Sequence, residues 1–103
     1  MNRVDRIKAM EARLDNANAV IAKAEAAIAD YSAALDDIRA LAAYYAGEDW
    51  MKDFAADEAG KLPAELKRGV LSEDGIFDML EENRSLQIML SETLTKVLKK
   101  GSF

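Results

Sequence analysis

A chain of 103 residues, half of them hydrophobic, 32% charged and one a proline, is long enough for one core and too short for two, so it reads as a single helical domain over 1–103. Fourteen Lys and Arg against 19 Asp and Glu leave a net charge of −5, which repels polyanions, and no nucleic-acid partner is expected. The absence of cysteine and histidine removes disulfides, thiolate chemistry, the commonest metal ligand and the commonest general base, which excludes hydrolase triads and ordinary zinc sites.

The opening MNRVDRIKAMEARL carries charges every few residues and has no secretory apolar core, and the longest apolar run, Ala40 to Ala46, is far short of a membrane span. A cytoplasmic protein without membrane contact is expected. From Asn2 to about Tyr45 apolar residues recur every seventh position. Ile7, Leu14, Ile21, Ile28, Leu35 and Ala42 form one row; Met10, Ala17, Ala24, Tyr31, Ile38 and Tyr45 form the companion row, offset by three. Six heptads predict one long helix of roughly 65 Å that packs along a narrow, left-handed seam. Ala17, Ala24, Ala27 and Ala34 leave little bulk beside that seam and admit close approach of a partner helix. Six basic and seven acidic residues up to Tyr45 mark a solvated outer face.

The stretch 46–72 departs from this periodicity. Gly47 is expected to end the long helix in a left-handed conformation. Glu48 and Asp49 suit the start of a short second helix, in which Trp50 and Phe54 share the inward face while Asp49, Asp53 and Asp57 form a solvated acidic row. Three carboxylates in a straight row do not converge on one cation, so no metal site is read there. Gly60 stops this helix. Pro63 is expected to open a further helical turn over Ala64–Arg68, closed by Gly69. Lys67 and Arg68 are expected to pair with Glu65, Glu73 or Asp74, with binding of an external anion as the alternative. Ser72 then supplies an N-cap, with Glu73 and Asp74 in the first turn and Leu71 packing on Ile76 as a hydrophobic staple.

Within this stretch and around it, Tyr44-Tyr45, the W-x-x-D-F element at Trp50, Asp53 and Phe54, the tract GKLPAELKRGVLSED from Gly60 to Asp74, and the Leu- and Glu-rich start of the last helix at Phe77 to Asn83 resemble the hallmark of a family of short, about 100-residue bacterial proteins classed as a domain of unknown function. The resemblance implies a family without implying an activity, and its specificity sits in about forty residues. Gly75, a poor helix former in the first turn of the last helix, is expected to weaken that helix start.

The last helix, about 73–100, carries Ile76, Leu80, Leu90, Leu94 and Val97 on a heptad frame whose intervening Asn83 and Gln87 are polar. These two are read as a buried amide pair that fixes register, with an exposed patch next to a site as the alternative. Phe77, Met79, Leu86, Ile88, Met89 and Leu98 widen the apolar arc, so the helix is expected to meet more than one neighbour, and Lys96, Lys99 and Lys100 before Gly101 suit its C-terminus.

The fold class is therefore all-α: a long N-terminal helix, a short middle helix and a C-terminal helix folded back antiparallel, as a coiled-coil-like hairpin or bundle. Because about 40 Å of last helix covers the first only to about residue 18, an apolar overhang is left, and a homodimer is expected with Ile7, Met10, Leu14 and Ile21 at its interface. Residues 46–75 are a candidate surface for another protein, through Trp50, Phe54, Lys67 and Arg68. No spacing of carboxylates, Lys67, Tyr44, Tyr45 or Ser72 implies a reaction, so no catalytic, cofactor or metal-binding residue is assigned and the chain is read as a non-enzymatic, self-associating interaction module. The alternative is an acidic mimic of nucleic acid that inhibits a basic groove.

Overall fold

A computed structural model describes residues 2–101. It is all-α, with α1 at Arg3–Ala46, α2 at Glu48–Glu58, a 3₁₀ turn at Gly69–Leu71 and α3 at Gly75–Lys99. The long, short and C-terminal helices expected from the sequence are all present. None of the helices is long and apolar enough to cross a membrane.

Local chemistry sets the boundaries. The Asn2 side chain caps α1 by accepting the Asp5 backbone N–H at 2.8 Å. At the other end of α1 the expected left-handed glycine is not found. Gly47 is extended, with φ −98° and ψ 173°, and serves as the N-cap of α2. What favours glycine there is space, because a Cβ would stand 3.3 Å from the Ala43 carbonyl oxygen. The left-handed glycine lies one helix later. Gly60 has φ 70°, its N–H meets the Asp57 carbonyl and that of Lys61 meets the Ala56 carbonyl, both at 3.0 Å, which is a complete Schellman closure of α2.

Pro63 opens a single turn, closed by the Leu66 N–H on its carbonyl at 3.1 Å, and not a helical segment reaching Arg68. The helical geometry resumes at Gly69, the residue expected to end it. Ser72 is extended (φ −67°, ψ 150°), and its Oγ accepts the Gly75 N–H at 3.0 Å while donating to the Gly69 carbonyl at 2.9 Å. This is N-cap geometry one turn ahead of the first regular helical residue. Leu71 and Ile76, the staple positions on either side of that cap, are 6% and 3% exposed and are the only buried side chains among the described residues.

By internal contacts the chain divides into two compact units, Met1–Asp36 and Asp37–Phe103. In the first, every described residue ahead of Tyr31 is exposed except Ala9, and Tyr31, Ala34 and Leu35 are half-buried. In the second, the 3₁₀ turn is the hub, packing on α2 on one side and on α3 on the other. After Asn83, only Val97 of α3 is better than exposed. One expectation fails here: Asn83 and Gln87 are no buried amide pair, since Asn83 is half-buried and Gln87 exposed.

Candidate functional site

The second unit gathers the candidate residues around α2. Because Trp50 and Phe54 are four apart on a helix, their rings share a face, and they stack with centroids 5.1 Å apart and planes 20° from parallel. Tyr45, near the end of α1, meets the other side of Trp50 edge-on at 5.0 Å and 72°. The indole Nε1–H donates to the Val70 carbonyl at 2.8 Å, tying α2 to the 3₁₀ turn. Both rings are half-buried and, with Tyr45, form a bracket between the end of α1 and α2.

The aspartates of α2 do more than face water. Asp53 accepts the Tyr44 hydroxyl at 2.6 Å, and Asp57 accepts Arg68 Nη1 at 2.6 Å. Arg68 thus pairs with a carboxylate of α2, eleven residues back, and not with Glu65, Glu73 or Asp74. Proximity in sequence favours the neighbours of the basic pair, whereas the Gly60 closure and the Pro63 turn bring the chain back along α2. Lys67 is exposed. Among the described residues no three acidic side chains are grouped closely enough to hold a metal ion.

These bonds also act on the hydroxyls of Tyr44 and Ser72. The Tyr44 phenol is pushed up to about 12, first by its hydrogen bond to Asp53, then by desolvation and by the negative charges of Asp53 and Asp49. That is the wrong direction for a nucleophile or base. The Ser72 hydroxyl is committed at both ends to the cap.

Beside this bracket Leu41, Val70, Ile76 and Met79 line a shallow apolar depression floored by Gly69 and Gly75. Gly75 is essential to its shape. A Cβ on it would fall 2.4 Å from the Gly69 carbonyl oxygen and 2.7 Å from Ser72 Oγ. What the sequence presents as a weak helix former is the residue that lets the 3₁₀ turn close on α3.

The other candidate set lies in the first unit. Ile7, Met10, Leu14 and Ile21 all sit on α1, spaced along one seam, and all are exposed. Val4 and Ile28, which continue the apolar stripe, and Val20, which the sequence pattern does not single out, join them, and the seven are 52–59% exposed. Val20 lies beside the seam, where only the heptad pattern of neighbours would have called attention to it.

Residues 7–93 match the family described as a domain of unknown function, DUF4298. The chain belongs to that family. No curated protein and no solved structure matches it. The DUF4298 match takes in both candidate sets, from Ile7 through the bracket at Trp50 to Thr93, well past the middle of α3.

Proposed function

We propose that this DUF4298 protein is a non-enzymatic helical interaction module that self-associates through α1. The observation that carries the reading is the exposed apolar seam. Seven large aliphatic or thioether side chains lie in a 25-residue stretch on which the described chain supplies no cover. Soluble chains seldom leave so continuous an apolar stripe to water unless a partner takes it. A binding role is further supported by the state of the reactive groups: Tyr44 is held protonated and Ser72 is committed to a helix cap.

Of the four central candidates, Trp50 and Arg68 tie α2 to the chain around residues 68–70 and Phe54 stacks on Trp50, which leaves the exposed Lys67, with the exposed apolar Met51, Leu66 and Val70, as the groups of residues 46–75 open to a second protein. Light scattering on the wild type and on an Ile7→Asp/Leu14→Asp variant tests the main reading. The variant is expected to have half the wild-type mass with unchanged helicity. Equal masses would remove α1 from any interface.

A further inference from the structure

Resting on that reading, we propose that the occupant of the α1 seam is α1 of a second copy, running antiparallel over residues 3–28, in the register that sets Ile7 against Ala24, Met10 against Ile21 and Leu14 against Ala17 of the other chain. Three features of the sequence and structure select this arrangement. The first is shape. Within the exposed stretch one seam row is large throughout (Ile7, Leu14, Ile21, Ile28), whereas the other shrinks to alanine at 17 and 24. In an antiparallel pair each layer takes one residue from each row, so Ile7 and Leu14 face alanines, Met10 faces Ile21, and no layer has alanine on both sides. A parallel pair would stack Leu14 on its copy and Ala17 on its copy, alternating crowded and empty layers. The parallel pair would gain exposed Arg6–Glu11 contacts between chains, but surface ion pairs are worth less than the packing lost to such voids.

The second feature is charge, and it picks one register among the antiparallel ones. In the proposed register Arg13 lies across from Val20, Arg6 from Ala27, Glu11 from Asn18 and Glu25 from Val4, so no like charges meet. Sliding by one heptad one way brings Glu11 against Glu25; sliding the other way brings Arg13 against Arg13 and Glu11 against Glu11. The arginines in the chosen register lay their aliphatic stems over the apolar flank and keep their guanidinium groups in water. Between Arg3 and Ile28 the chain carries five basic and four acidic residues, so the two copies do not repel despite a net charge of −5 each.

The third is extent. The overlap coincides with the exposed part of α1 and stops before the half-buried Tyr31. Seven half-exposed apolar side chains from each copy withdraw on the order of 1,000 Å² from water, the size at which an interface becomes stable, before the alanines and charged stems are added.

The chain has no cysteine, which makes pairing directly readable. Full-length Ile7→Cys and Ala24→Cys variants, both on the exposed helix face, are refolded together so that subunits exchange. They are then treated with oxidised glutathione as the two-electron acceptor. Facing positions fall within disulfide reach; in a parallel pair, positions 7 and 24 are about 25 Å apart. The expected result is a 7–24 disulfide in the mixture at several times the dimer yield of either variant alone, with helicity unchanged. Self-linkage of the Ile7→Cys variant would overturn the antiparallel arrangement. Linkage of Ile7→Cys to an Ala17→Cys variant in preference to Ala24→Cys would overturn the register. A wild type that sediments as a dimer while positions 7 and 24 stay unlinked would overturn this pairing and leave self-association standing. A monomeric wild type would overturn both.

Discussion

At the scale of single residues, the central stretch is governed by where glycine is and is not required. Gly75 touches backbone, so Gly75→Ala must push the Gly69 carbonyl away. The expected cost is about 1–3 kcal/mol, against the usual gain of alanine in a helix. Gly69 has no atom within 4 Å of a Cβ and no positive φ, so Gly69→Ala is expected to be neutral or to stabilise by about 0.4–1 kcal/mol through the unfolded chain. Urea unfolding of the two variants at one protein concentration checks the contrast, and equal midpoints would contradict it. Trp50 offers a second test. Trp50→Phe keeps ring contacts with Tyr45 and Phe54 but loses the bond to Val70, for about 1 kcal/mol; Trp50→Ala should cost roughly 2–3 kcal/mol, less than for a fully buried ring.

Tyr44 makes a prediction in pH. Its phenol titrates higher folded than unfolded, so the stabilisation it represents is fully present below about pH 10 and is lost as pH rises through about 12. Ultraviolet titration should find one tyrosine ionising near 12 in the wild type. In Asp53→Asn that tyrosine should move down toward 10, because the hydrogen bond to a carboxylate is the largest cause of the shift and the Asp53 charge adds to it. No movement would show that Asp53 is not the cause.

At the scale of elements, what was legible in the sequence is what depends on near neighbours. The helix α1, the stop at Gly60, the Ser72 cap and the Leu71/Ile76 staple each follow from residues within one or two turns. What was illegible depends on where the chain returns. Asp57 finds Arg68, and Trp50 finds the Val70 carbonyl twenty residues on, only because two turns intervene. Gly47 and Gly75 are illegible for another reason: the atoms that would meet a Cβ lie only three to six residues back, but the requirement is one of clearance and not of the glycine's own torsions. The seam of α1 was visible from its large residues alone. Ala12, Ala19, Ala26, Ala33 and Ala40 run down the opposite row and erase the usual polar contrast. Removal of the cap by Ser72→Ala is expected to cost about 1 kcal/mol by thermal or urea unfolding.

At the scale of the whole molecule, the described chain buries only two side chains thoroughly while seventeen large hydrophobic ones remain exposed. Such a chain is poorly supported as a monomer, since apolar burial is the main force available against chain entropy. Its acidic excess lies beyond Ile28, which leaves the α1 seam nearly neutral and open to a like copy. Stability is therefore expected to depend on concentration, as it does when folding and association are coupled. Sedimentation equilibrium of the unmodified chain is the direct test of self-association. At micromolar concentration the predicted mass is twice the 11.3 kDa of one chain, falling toward one chain on dilution. A mass of one chain throughout the micromolar range would contradict the account.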